Sequence, residues 1–408
     1  MKKKCRITND KLIPFLNLGR QPLANGFINN RDLNKKEYLY NLKVGFSKES
    51  KMVQLLQVPK KEKMFNKNYA FYSSTSKYMD LHFKQFSENI KNFIKLKKIT
   101  KPLIVEIGSN DGIMLKRFKK LDHVGIEPSK NVADVCKKKE KCNVINEFFN
   151  ETTIKKINKS FNRKVDVFYS ANVMCHIEDI RSVFRNIFNS LSDNGIFVFE
   201  DPYMGDVIKK NSYDQIYDEH VYLFSIASIM KLAEISKLQL FDAKPQLTHG
   251  GSMRYYLCKQ NIYQQSRQLK KLIALEKKLK LDNISTYRNF ANRVKKSKVD
   301  LVQLLKKLKK NGKKISAYGA TSKSTTIFNF CKIKKNLIEN YYDNTKIKQN
   351  KFSPGMHIPV KSFSKMKKYP DYFFLSAWNH KDEILNKEKK FKAKGGKWIL
   401  HVPTVKIV

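Results

Sequence analysis

Apolar and polar positions divide the 408-residue chain into four stretches. Residues 1 to about 80 carry turn residues without a clear period, as in Leu16-Asn17-Leu18-Gly19-Arg20-Gln21-Pro22, and predict a small irregular domain. From about 80 to 260, short apolar runs alternate with helical spacing. The pattern predicts helices over 78–96 and 180–191 and a helix-like segment over 113–118. It predicts strands over 103–105, 123–127, 142–146, 165–170 and 196–200, followed by an antiparallel pair, 238–241 with 252–258. Residues 260–310 are rich in Lys and Leu at helical spacing (Leu272, Leu275, Leu279, then Leu301, Leu304 and Leu305) and predict one or two long bridging helices. In the last stretch, 315–320 reads as strand and turn, 321–326 as a helix start, and 340–343 and 372–375 as further strands. The pattern as a whole is α/β, with two units joined by helices.

The first candidate site is the turn between the strand at 103–105 and the segment at 113–118. It holds Glu106, Gly108, Asn110, Asp111 and Gly112. Glycines at a strand-to-helix turn let backbone approach a ligand. The run lacks both the G-x-G-x-x-G of a dinucleotide site and the Lys of a P-loop. Its acids repel a pyrophosphate and attract a cation. S-adenosylmethionine, with a sulfonium, an amino group and a ribose diol, therefore fits better than NAD or ATP. Glu127 follows Gly108 by 19 residues at the end of the next strand, where a doubly wound fold places an acceptor for ribose hydroxyls. Asn172, just after the strand at 165–170, falls at the same sheet edge.

A second candidate is Tyr217-Asp218-Glu219-His220-Val221-Tyr222, after the fifth strand of this unit. Ligands of doubly wound sheets bind beyond the strands' carboxyl ends, so this segment can sit over the cofactor. His220 can take a proton near neutral pH, Glu219 can orient it, and a tyrosine hydroxyl can donate to an oxyanion. Two further runs stay open between roles. Thr248–Arg254, with His249 and Arg254, reads either as a hairpin turn or as a phosphate or sugar contact. The turn from Gly319 to Lys323 reads either as a phosphate cradle or as an ordinary strand-to-helix connection.

Composition changes this picture little. The net charge of +46 invites a nucleic-acid reading, but the lysines are spread along the whole chain as surface residues would be, so no nucleic acid is expected. No apolar run approaches the ~20 residues of a membrane span. The basic N-terminus lacks the apolar stretch of a signal peptide, and six scattered cysteines agree with a reducing compartment, so a cytoplasmic location is expected.

Several runs together carry a resemblance: LGRQPLAN (18–25), MVQL (52–55), YAFYSSTS (69–76), VEIGSNDG (105–112), GIEPS (125–129), YDEHVYLFS (217–225), THGGSMR (248–254), AYGATSK (317–323), FSPGMHIPV (352–360) and LSAWN (375–379). In this order they make the chain similar to the S-adenosylmethionine-dependent C-methyltransferases of nucleotide-linked 4-keto-deoxysugars. The resemblance implies an N-terminal zinc-binding-like domain (1–78), a class I methyltransferase core of seven strands (79–260), a helical bridge (261–310) and a Rossmann-like nucleotide-sugar-binding domain (311–408). It implies proton abstraction beside a ketone and in-line methyl transfer to carbon. His220 would be the base, with Glu219 and Tyr217 around it and Tyr72 and Tyr222 as further sugar or enolate contacts. His249, Arg254 and Lys323 are the candidate substrate contacts. O- or N-methylation of a related sugar, and a non-catalytic sugar-binding homologue, are the alternatives. A monomer or small homo-oligomer is expected.

One departure stands out. The family's two C-x-x-C pairs fall on Cys5-Arg6-Ile7-Thr8 and Ser47-Lys48-Glu49-Ser50, leaving one thiol where a structural zinc site wants four ligands. No metal is expected.

Overall fold

The computed structural model describes residues 3–64, 72–75 and 77–408. Three sheets organise it. The first has the order β1 (Ile13–Pro22), β2 (Leu39–Phe46), β3 (Val53–Leu55) and β9 (Tyr222–Leu223), all antiparallel. The last strand comes from far along the chain. The region expected to be irregular is thus a sheet. Its period was masked because β1 shifts register twice, between Pro14 and Leu16 and between Asn17 and Arg20. There Gly19 takes φ 81° and donates its N–H to Asn17 Oδ1 at 2.9 Å. A bulge of this kind breaks the alternation by which a strand is read.

The second sheet has seven strands: β4 (Leu103–Ile107), β5 (Asp122–Ile126), β6 (Val144–Ile145), β7 (Val165–Ala171), β8 (Leu191–Pro202), β10 (Leu238–Gln246) and β11 (Ser252–Lys259). Their order is β10-β11-β8-β7-β4-β5-β6. The five strands β8, β7, β4, β5 and β6 run parallel, and β10 and β11 complete the edge antiparallel. This is the class I methyltransferase arrangement. The strands are apolar because both faces are covered: every residue of β4 is buried. Two expectations are corrected. Residues 113–118 form only a four-residue 3-10 turn, Leu115–Phe118, because Ile113, Met114, Leu115 and Phe118 are all buried and no polar face remains for an amphipathic helix. β8 begins at Leu191, ahead of the strand start expected at 196, and takes in Asp193-Asn194-Gly195.

The third sheet has the order β14 (Val360–Lys361), β13 (Tyr341–Tyr342), β12 (Ile315–Tyr318), β15 (Tyr372–Leu375), β16 (Lys397–Leu400) and β17 (Lys406–Ile407), parallel except for the last pair. Helices Arg267–Lys278 and Ile284–Lys310 join it to the second sheet. The long helix serves two sheets at once. Its Tyr287 ring stacks on Phe46 of β2 at 4.6 Å, and its Leu301 and Leu305 share one core with Ile315 and Phe374. No helix among the described residues is long and apolar enough to cross a membrane.

Glu276 of helix Arg267–Lys278 ties the bridge to the second sheet's layer. Its buried carboxylate accepts the first N–H groups of helix Ile226–Ile235, from Ile226 at 2.6 Å and Ala227 at 3.0 Å. Helix N-terminal amides have no intrahelical partner, so removing this acceptor strands them. Glu276→Ala is expected to cost about 1–3 kcal/mol, read as a shifted denaturant midpoint.

Candidate active site

Strand order reverses at β4, between β5 and β7, and again at β12, between β13 and β15. Loops leave such a point in opposite directions and open a crevice. The two crevices face each other across one cavity of about 1360 Å³. Gly108, Asn110, Glu127 and Asn172 line it from the second sheet, and Thr321, Ser322, Lys323 and Lys348 from the third. Tyr217, Glu219 and His220 line it between them.

On the methyltransferase side, Gly108 has φ 76°, and a Cβ there would stand 2.3 Å from Val173 Cγ2, so only glycine fits the turn. Glu127 accepts the N–H of Asn110 at 3.0 Å and of Ser129 at 2.8 Å, which holds its carboxylate at the wall. Burial pushes that carboxyl up from its usual value. Asn172 Oδ1 is buried and has no hydrogen-bond partner among the described residues, so it offers an acceptor to a ligand. Glu106, Asp111 and Gly112 lie behind the wall. Glu106 accepts the Tyr169 hydroxyl at 2.8 Å, and burial pushes its carboxyl well up from its usual value. Asp111 accepts the N–H of Ser74 at 3.0 Å, and Asn110 Oδ1 accepts that of Ser73 at 3.1 Å. These bonds bring Tyr72 to the wall, where its hydroxyl accepts from Asn131 Nδ2 at 2.9 Å. Tyr69 to Phe71, of the same aromatic run, lie outside the described residues.

His220 sits where the two crevices meet. Its Nδ1 lies 2.6 Å from the Gln215 carbonyl. A carbonyl only accepts, so Nδ1 carries the proton and Nε2 keeps its lone pair. Burial pushes its pKa well below the usual value, with the neighbouring His176 adding to the effect, so the ring is neutral. His176 lies 5.4 Å away, its ring stacked at 23°, and burial pushes it down to about 4. The Tyr217 ring packs on His220 from another side at 4.1 Å. Glu219 does not orient the imidazole as expected: Asn25 Nδ2 donates to it at 2.7 Å, and the backbone of Gln215 does the orienting.

His176 is a wall residue that sequence reasoning missed. With Cys175 and His220 it makes a group whose ligand atoms lie within 4.8 Å of one another, in reach of a metal. Burial, with Asp201 beside it, holds the Cys175 thiol well above its usual range. The two neutral imidazoles can take and pass a proton.

On the C-terminal side, Lys323 Nζ donates to the His249 carbonyl at 3.1 Å and stands 5.3 Å from the Trp378 ring. Burial lowers its pKa to about 8. Lys348 Nζ donates to the Ala320 carbonyl at 2.8 Å, so two lysines flank the start of helix Ser322–Cys331. His249 lines the cavity with φ 55°, and burial pushes its ring down to about 3. Gly250 beside it leaves no room for a Cβ against Trp378, which is how the two crevices come this close.

Three family models match successive parts of the chain: a proposed zinc binding domain over residues 5–65, a methyltransferase domain over 79–240 and a C-methyltransferase C-terminal domain over 247–403. A curated relative, the C-methyltransferase NovU of Streptomyces niveus, is 27% identical over 99% of this chain and 96% of its own length. The matched domains make the chain an S-adenosylmethionine-dependent methyltransferase, similar over nearly its whole length to C-methyltransferases. Among solved structures, an S-adenosylmethionine-dependent methyltransferase of Clostridium acetobutylicum covers 43% of this enzyme and 92% of its own chain, at 12% identity and a TM-score of 0.35. The plantazolicin methyltransferase BpumL covers 44% and 85%, at 16% identity and a TM-score of 0.35.

Two expected contacts of this methyltransferase do not reach the cavity. The Tyr222 hydroxyl donates to the Glu178 carbonyl at 2.7 Å, and its ring stacks on Phe224. Arg254 is consumed by a buried network. It donates to Glu200 Oε2 at 2.8 and 3.0 Å and lies 3.7 Å above the Phe86 ring, while His82 and Thr248 bond the other carboxylate oxygen. Burial opposes charge on Glu200, but these partners together hold its pKa at about 2. Arg254→Ala therefore leaves a buried carboxylate without its counter-charge. It should lower stability by about 3–5 kcal/mol. Thermal unfolding would register this loss, and the KM of the folded fraction should stay unchanged.

Proposed function

We propose that this methyltransferase methylates a carbon beside the ketone of a nucleotide-linked 4-keto-deoxysugar. The observation that carries the reading is the hydrogen bond from His220 Nδ1–H to the Gln215 carbonyl. It leaves a neutral, lone-pair-bearing Nε2 on the cavity between the cofactor turn and the lysine pair. Methyl transfer to oxygen or nitrogen needs no carbon-acid base, whereas transfer to carbon does. The substrate class rests on the motif resemblance and on the chemistry of the C-terminal wall. Lys323, Lys348 and the N-terminus of a ten-residue helix make a site suited to a diphosphate.

Gly108, Asn110, Glu127 and Asn172 would hold the methyl donor. The bare Gly108 backbone admits it closely, and Glu127 and Asn172 offer acceptors for its hydroxyl and amino groups. Bound there, S-adenosylmethionine supplies an electrophilic methyl group. Lys323 and Lys348 would neutralise the diphosphate and place the sugar beside His220. His220 Nε2 takes the proton on the carbon next to the ketone, and the electron pair left behind forms an enolate. Tyr72 and Tyr217, which line the wall, would donate to the enolate oxygen. The carbon then bonds to the methyl group as the carbon–sulfur bond breaks, its pair staying on sulfur. The stacked His176 is a second neutral imidazole through which the proton can leave.

His220→Ala should lower kcat by roughly 10²–10⁴-fold with nucleotide 4-keto sugars and labelled S-adenosylmethionine. Full turnover in that variant would instead favour O- or N-methylation. The pH dependence has a definite sign. His220 is protonated only well below the ordinary histidine value, so no acid limb of kcat/KM should appear near the usual ~6.5. Lys323 loses its proton as pH rises through about 8, so kcat/KM should fall on the alkaline side. Lys323→Met should remove that limb and raise KM.

A further inference from the structure

Two turns beside the first sheet, Cys5–Thr8 and Ser47–Ser50, have the spacing of paired zinc knuckles. Their backbones match: the residue after each turn is left-handed, Asn9 at φ 67° and Lys51 at φ 56°. Each turn also folds a backbone N–H onto its own first side chain, Ile7 N onto Cys5 Sγ at 3.3 Å and Ser50 N onto Ser47 Oγ at 3.0 Å. The two turns meet. Cys5 Sγ lies 3.2 Å from Ser50 Oγ, and Thr8 Oγ1 and Ser47 Oγ both donate to Asp10 Oδ1, at 2.5 and 2.7 Å. Gln54 Nε2 donates to the thiol at 3.1 Å. Cys5, Ser47 and Ser50 are buried.

These donors do not fit the zinc that the matching domain family implies. A structural zinc site takes four nitrogen or sulfur ligands, and zinc–sulfur bonds of ~2.3 Å set tetrahedral sulfur atoms ~3.8 Å apart. Here there is one thiol, and the remaining three positions carry neutral hydroxyls at hydrogen-bond distances. We propose that Cys5, Thr8, Ser47 and Ser50, closed on Asp10, form a metal-free replacement for a zinc knuckle pair. Hydrogen bonds hold the two turns in the geometry a metal would otherwise impose. Asp10 is the positioning residue, because two hydroxyls from different turns converge on one of its oxygens. The device matters to the cavity, since Cys5 and Arg6 belong to its wall.

The test uses the full chain. Wild-type protein produced in zinc-supplemented medium should carry far less than one zinc per chain, and its Tm should not respond to chelator. The Thr8→Cys/Ser47→Cys/Ser50→Cys variant restores four thiols on the same turns. It should take up one Co²⁺ per chain with the intense thiolate and tetrahedral absorption of such a site, and zinc should raise its Tm. Asp10→Ala should lower the wild-type Tm by roughly 2–4 °C, whether or not the triple variant folds. One tightly held zinc per wild-type chain, a folded triple variant that binds no Co²⁺, or an unchanged Tm in Asp10→Ala would overturn the proposal.

Discussion

The candidate base is held by a backbone ladder that belongs to another sheet. Tyr222–Leu223, two residues beyond His220, pairs with Val53 and Gln54 of β3, and Leu55 N–H donates to the Val221 carbonyl at 2.9 Å. Just before it, Asp218 accepts the N–H of Ala24 at 3.0 Å, and Glu219 accepts from Asn25. The segment that carries the candidate chemistry leaves the methyltransferase sheet and is finished by the N-terminal one. Backbone pairing fixes register to within a residue, so it fixes which way His220 points. The N-terminal sheet is thereby part of the site, and the integrity of its two hydrogen-bonded turns bears on it directly.

The same logic explains why three sheets are needed. A parallel sheet provides a crevice at its switch point but only one wall of it. Here two such crevices are set face to face, and the N-terminal sheet closes the gap. The wall from the seven-stranded sheet holds acceptors, and the opposite wall holds lysines. The buried imidazoles stand between them. Burial is the physical cause common to the site: it keeps His220 and His176 neutral and brings Lys323 down to about 8. A site buried this deeply strengthens every charge interaction with a bound anion.

Much of the fold was legible. The strands of the central sheet and the long bridging helices follow from runs of apolar residues and from Leu spacing, since both are packed on regular surfaces. The turn after β4 was legible as a turn because its glycines follow an apolar strand end. What escaped has physical reasons. β1 was hidden by its register shifts between Pro14 and Leu16 and between Asn17 and Arg20. β14, β16 and β17 are strands of two to four residues, too short to show a period. His176 carries no local signal; it matters because the fold stacks it on His220. Nor does a sequence reveal a backbone acceptor, so the natural partner for His220 looked like Glu219 when it is the Gln215 carbonyl. Arg254 read as a ligand contact because charge is rarely buried, yet Glu200, His82 and Thr248 together make its burial possible.

The proposed chemistry turns on His220 Nε2 as the acceptor of a carbon-bound proton. The most direct measurement is deuterium exchange at the carbon beside the ketone of a nucleotide 4-keto sugar, followed by proton NMR in D₂O with wild-type enzyme and His220→Ala. Wild type should wash solvent deuterium into that position much faster than the variant does. Equal exchange rates in the two proteins, alongside methyl transfer to carbon by the wild type, would contradict it.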